Sequence, residues 1–141
     1  MTGFSITIEI LASPERVWSV MSDFERWHEW TPTVTSIKRL DGRQSGIGSR
    51  LLIRQPKLPP AIWCITELNE GRSVTSVTRS PGVCITAEHS IKEITGGSCV
   101  TLSVRFSGLF GPLVARFTRR LNERYLALEA KGLKERSEEK K

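Results

Sequence analysis

The chain has 141 residues, 38% of them hydrophobic, and a formal net charge of +6. That length fits one domain around one core, which buries about 70% of the surface its unfolded form exposes. No apolar run approaches the ~20 residues of a membrane span, and Met1 to Ile10 alternates where a secretory signal would be continuously apolar, so a cytoplasmic protein without integral membrane contact is expected.

In chain order, Phe4, Ile6, Ile8 and Ile10 alternate with Ser5, Thr7 and Glu9, the period of a half-buried strand. Ser13-Pro14 ends it and opens a short helix: Ser13 caps, Pro14 takes the first position, and Val17, Trp18 and Met21 recur at helical spacing. A second short helix begins near Asp23, carries Phe24, Trp27 and Trp30, and stops at Thr31-Pro32. Extended runs follow at Val34 to Leu40 and Ser49 to Arg54, joined through Asp41-Gly42 and Gly46-Ile47-Gly48; a proline-rich loop spans Gln55 to Pro60. The Gly46-x-Gly48 pair lacks a following helix and reads as a tight turn, not a phosphate loop. Four more extended runs cover Ala61 to Leu68, Ser73 to Arg79, Val83 to Ile94 and Ser98 to Phe106, with turns at Asn69-Glu70-Gly71 and Pro81-Gly82. Turns at nearly every connection predict antiparallel meanders, because parallel pairs require crossover helices.

Pro112 leads the last element, a segment with no breaker for about twenty residues. On a wheel of 100° per residue with Leu113 at zero, Phe117, Leu128, Leu121, Val114 and Tyr125 fall within about 120°. The pattern predicts one long helix whose apolar face covers the sheet. Arg116, Arg119, Arg120, Lys131 and Lys134 lie on or beside its outer face, interleaved with Glu123, Glu129 and Glu135 as on a solvated surface. These cations show no aromatic interleaving of the kind that stacks bases, so no nucleic-acid partner is expected. Glu135 to Lys141 reads as a charged, frayed tail. Cys64, Cys84 and Cys99 are isolated and lack CxxC spacing, which makes them reduced packing residues and leaves no metal site.

The order strand, two short helices, six strands, long helix resembles the START-like, helix-grip superfamily called SRPBCC, and within it the bacterial polyketide cyclase/dehydrase and lipid-transport branch. The resemblance runs from Ile8 to about Glu138. It is carried by Ala12-Ser13-Pro14-Glu15-Arg16-Val17-Trp18, by Asp23-Phe24-Glu25-Arg26-Trp27-His28-Glu29-Trp30-Thr31-Pro32 and by Leu128-Glu129-Ala130-Lys131-Gly132-Leu133-Lys134. It implies an α+β helix-grip fold over residues 1–141 as a single domain: a curved antiparallel sheet of about seven strands wrapped around the long C-terminal helix, with two short helices after the first strand. It further implies an internal apolar cavity between sheet and helix.

In such a cavity Trp27 and Trp30 line or roof one end, or else plug the core there; Leu58 sits at the mouth, or in a plain surface connection. Arg124 falls at about 20° on the wheel, inside the apolar arc, where its guanidinium would bind an anionic or enolate oxygen; otherwise its stem covers the helix while the charge reaches solvent. His89 is in phase with Val83, Ile85, Ala87 and Ile91, which turns its imidazole to the apolar face and suits proton transfer. His28, between two tryptophans, points away from their face. On the run Ala61 to Leu68 both faces are mixed: if Ala61, Trp63 and Ile65 face inward, Glu67 joins them as a possible base; if not, Trp63 marks an outer surface. The candidate ligand-binding set is therefore Trp27, Trp30, Leu58, Trp63, His89, Phe106, Phe117, Leu121, Arg124 and Leu128, and the candidate catalytic set His89, Arg124, Tyr125 and Glu67.

There is no GxSxG elbow, no HExxH and no close carboxylate pair, and no cofactor is implied. Three functions remain. The first is binding or transport of an apolar or amphipathic small molecule (a polyketide, a lipid or an isoprenoid-like compound) by a monomer or homodimer. The second is a polyketide cyclase or aromatase-like enzyme with cavity-templated acid-base chemistry. The third is a protein-interaction module whose cavity is filled by its own side chains.

Overall fold

The computed structural model describes residues 2–41 and 46–139; Gly42 of the first expected turn and Lys140 and Lys141 of the expected tail lie outside them. The elements are β1 (Thr2–Ile10), α1 (Pro14–Met21), a 3₁₀ helix (Phe24–Glu29), β2 (Ser36–Arg39), β3 (Arg50–Arg54), β4 (Ala61–Asn69), β5 (Ser73–Ser80), β6 (Val83–Ile94), β7 (Gly97–Ser107), α2 (Gly111–Phe117) and α3 (Arg119–Glu138). All strand pairs are antiparallel, in one seven-stranded sheet of order β1-β7-β6-β5-β4-β3-β2. The expected meander thus runs from β2 to β7, and β1 closes the far side by pairing Thr2 with Phe106 and Ile10 with Ser98. The sheet stays open, with β1 and β2 as its edges.

Local chemistry sets the boundaries. The Ser13 hydroxyl accepts the Arg16 amide at 3.2 Å, and Pro14 follows as the first helical residue. The turns after β4 and β5 need left-handed backbone at Gly71 (φ 79°) and Gly82 (φ 77°), which glycine adopts without a Cβ penalty. Ile10, Val17, Met21, Ile65, Val100, Leu102 and Leu133 are the large side chains at the centre of the core, between the sheet's inner face, α1 and α3.

Two expectations for the helical segment that Pro112 leads are corrected. The segment is two helices, broken at Thr118, whose hydroxyl donates to the Val114 carbonyl at 2.7 Å. Such back-bonding competes with the helical ladder and bends it. The buried side is also different: Gly111, Ala115, Leu126, Ala130 and Leu133 face the protein, about 180° from Leu113 on the wheel, while Leu113 and Phe117 face solvent. Small residues let α2 and α3 approach their neighbours, so the closely packed side is not the one with the bulkiest apolar groups.

Residues 135–138, expected as part of a frayed tail, are helical and tied down. The Glu138 carboxylate accepts the Leu11 amide at 2.7 Å and the Lys134 ammonium at 2.5 Å, and Arg136 pairs with Glu29 at 2.5 Å. Arg16 donates to the carbonyls of Arg136 and Ser137 at 2.9 and 3.3 Å, satisfying acceptors at the end of α3 and bringing cationic charge to its negative dipole end.

Candidate functional site

A cavity of about 190 Å³ lies between the inner face of the sheet and the α2–α3 pair. Because alternate residues of a strand share a face, β3 to β7 contribute mostly every second residue: Leu51 and Ile53 from β3, Trp63 and Ile65 from β4, Val74 and Ser76 from β5, Ile85, Ala87 and His89 from β6, and Leu102, Val104 and Phe106 from β7, where Ser103 also reaches the wall. Val114, Thr118, Asn122, Tyr125, Leu126 and Glu129 come from the helices, at the three- and four-residue spacing of one helical face. Phe24 and Trp27 close one end, and Gln55 and Leu58 of the proline-rich loop contribute to the wall.

Polar groups are few and held. His89 Nε2 stands 3.4 Å from Glu129 Oε1, and both side chains are 13% exposed. That separation is the long limit of a hydrogen bond, a loose pair that a bound ligand can tighten or part. The edge of His89 meets Trp27, ring centroids 5.1 Å apart. Trp27 is itself fixed: its indole N–H donates to the Met21 carbonyl at 2.9 Å, and Phe24 and Trp30 pack on it at 5.6 and 5.2 Å. The Tyr125 hydroxyl donates to the Pro56 carbonyl, anchoring the proline-rich loop to α3. Burial pushes the Tyr125 pKa above its ordinary value of 10.0, against the opposing pull of the Arg124 charge, so the phenol stays a donor at neutral pH. Among the described residues no group of three or more His, Cys, Asp or Glu side chains could hold a metal ion, and no helix is long and apolar enough to cross a membrane.

Of the residues singled out in the sequence, Trp27, Leu58, Trp63, His89, Phe106 and Tyr125 line this cavity. Trp30 stands behind Trp27 as its support. Arg124 is exposed on α3, so the inward reading of its guanidinium is corrected; Phe117 is exposed too, and Leu121 and Leu128 are half-buried away from the lining. All four errors share one origin, an inward helical face turned away from Leu113 and Phe117 so that only Val114 and Tyr125 of the expected arc remain on the wall. Glu67 is likewise exposed. Trp63 and Ile65 do face inward, but a bulge between Ile65 and Glu67 resets the alternation, so that Leu68 packs on the core and Glu67 turns out. Glu129, Asn122 and Thr118 were missed because a polar residue is given no inward place on a wheel centred on leucines. The signal was present in the small residues: Ala115 and Ala130 mark the side that holds Asn122 and Glu129.

A sequence profile described as polyketide cyclase / dehydrase and lipid transport matches residues 1–138. No curated protein matches the chain. Among solved structures, the chain is similar to the protein XoxI from Bacillus cereus (23% identity, 96% of this chain and 94% of that one, TM-score 0.77). It is similar also to the Zhui aromatase/cyclase from a Streptomyces species (14% identity, 97% and 93%, TM-score 0.78). A START superfamily protein from Mycobacterium smegmatis is a third (19% identity, 94% and 97%, TM-score 0.70). At these identities the structural likeness establishes the fold, a START-like helix grip. With the profile match over nearly its whole length, the chain belongs to the polyketide cyclase / dehydrase and lipid transport family.

Proposed function

We propose that the protein binds a compact apolar or amphipathic small molecule in the cavity between sheet and α3. The observation that carries this reading is the cavity itself, a space of about 190 Å³ walled mostly by aliphatic and aromatic side chains, with His89 and Glu129 as the polar pair. Burial of ligand carbon at ~25 cal/mol per Å² supplies the affinity, and the polar pair orients the ligand. The volume is below the roughly 300–1,000 Å³ of sites for drug-sized ligands, which favours a fused-ring or short-chain polyketide or isoprenoid-like compound over a two-chain lipid. An open cavity also argues against an interaction module filled by its own side chains.

One observation favours a second reading, a cyclase-like enzyme: His89 and Glu129 are an acid-base pair on the wall of a largely apolar space, as the aromatase/cyclase similarity would suggest. His89 would take a proton from a carbon flanked by carbonyls, with Glu129 orienting the ring.

Native mass spectrometry of freshly purified protein, followed by organic extraction, tests the binding reading. A stoichiometric adduct of apolar character is expected in the wild type and not in Ala87→Trp, which fills the space. A bare mass after exposure to cell extracts, or an adduct retained by Ala87→Trp, refutes it. Loss of turnover in His89→Gln with the adduct retained would select the enzymatic reading.

A further inference from the structure

Four large apolar side chains stand in solvent between residues 109 and 117: Leu109 (83% exposed), Phe110 (49%), Leu113 (52%) and Phe117 (82%). Single exposed leucines are ordinary; a cluster on one short helix and its lead-in is not. Leu113 and Phe117 are one turn apart on α2, whose other sides bury Ala115 and give Val114 to the cavity wall. Arg116, Arg119, Arg120 and Arg124 follow, all exposed, with Glu123 the one carboxylate among them. Glu123 meets Arg119 at 3.6 Å in open solvent, so four cations and one anion leave a local excess of three positive charges.

The charge decides which occupant suits the patch. Two copies meeting symmetrically through this face would oppose arginine to arginine, a repulsive arrangement. Exposed phenylalanine and leucine fringed by arginine fit an anionic lipid surface, where rings enter the headgroup–acyl boundary and guanidinium groups meet phosphates. The net charge of +6 has the same sign. We infer that the α2–α3 corner docks the protein peripherally on an anionic bilayer. This inference stands independently of what the cavity holds, and it gives α2 two faces with two tasks, cavity wall and membrane contact.

Vesicle co-sedimentation of the full chain tests it, comparing phosphatidylcholine alone with an equal mixture of phosphatidylcholine and phosphatidylglycerol. Binding to the mixture only, weakened by salt, is expected. Arg116→Gln with Arg120→Gln should weaken it about twenty-five-fold, about five-fold for each basic residue. Leu109→Ser with Phe117→Ser should weaken it about tenfold or more. The control Arg72→Gln with Lys92→Gln removes the same charge elsewhere: Arg72 precedes β5, at the opposite end from the Pro81-Gly82 turn that Phe110 contacts. It should bind within about twofold of wild type. All these side chains are exposed, so unchanged melting temperatures verify folding. Equal binding to neutral vesicles, equal losses in patch and control variants, or no binding at all overturns the inference. So does self-association abolished by Leu109→Ser with Phe117→Ser, which would make the occupant a second copy.

Discussion

Gly132 on α3 sets two familiar effects against each other. Alanine there should stabilise an isolated helix by about 1 kcal/mol. In the folded protein its Cβ would lie 1.9 Å from the Trp30 carbonyl oxygen, 3.0 Å from the carbonyl carbon and 3.1 Å from Trp30 Cε3. The first is a backbone atom, so relief requires the chain after the 3₁₀ helix to retreat from α3 by more than about 1 Å. Forced repacking of this kind costs roughly 1–3 kcal/mol, and an oxygen this close places it at the upper end. Subtracting the propensity gain leaves Gly132→Ala destabilised by about 2 kcal/mol, which for a domain of this size lowers Tm by roughly 6–10 °C. Thermal unfolding followed by circular dichroism measures the shift. Because Trp30 supports Trp27 at the cavity end, native tryptophan emission should also move. A Tm equal to wild type or above it would show that helix propensity wins, and that α3 does not hold the 3₁₀ helix by close backbone contact.

Tyr125 is the one tyrosine, so ultraviolet absorbance of tyrosinate titrates it alone. Its midpoint should lie above the ordinary value of about 10, raised by burial, and should rise further in Arg124→Ala; a midpoint below 10 contradicts the buried phenol. The Glu138 carboxylate is held below its ordinary value, first by its hydrogen bond from Lys134 and then by the Leu11 amide. A depressed carboxylate contributes stability above the unfolded value of about 4.3 and loses it as pH falls through the folded pKa. Glu138→Gln should therefore melt below wild type at pH 7, with the two Tm curves converging in the acid limb; a gap that persists there argues for a purely steric effect. Ser13→Ala, by removing the cap on the Arg16 amide, should cost about 1 kcal/mol in denaturant unfolding, whereas Ser13→Asp should be near neutral.

The strand segments were legible because one face of the sheet is buried and the other wet. Phe4, Ile6, Ile8 and Ile10 alternate without interruption, and turn residues separate most of the runs. The same rule turned His89 inward correctly. It failed at Glu67 because a bulge adds a residue without a compositional mark, and alternation carries no memory of it. The helical wheel failed for a different reason. It weights residues by bulk and apolarity, whereas the side of α3 that faces the protein combines Ala130, Gly132 and Leu133 with the polar Glu129, and on α2 the bulky Leu113 and Phe117 face solvent. A histidine on one element and a carboxylate forty positions later on another meet only once the sheet curves over the helix, so the His89–Glu129 pair is a tertiary fact.

The pairing of β1 with β7 has a consequence for synthesis. Ile10 meets Ser98 and Thr2 meets Phe106, so β1 leaves the ribosome close to a hundred residues before its neighbour in the sheet, β7, exists. At about 5–20 residues per second, it spends roughly five to twenty seconds as an unpaired strand while β2 to β6 are made. During that interval Ser5, Thr7 and Glu9, which in the finished protein decorate an outer face, are what keep four neighbouring large apolar side chains from recruiting a foreign strand.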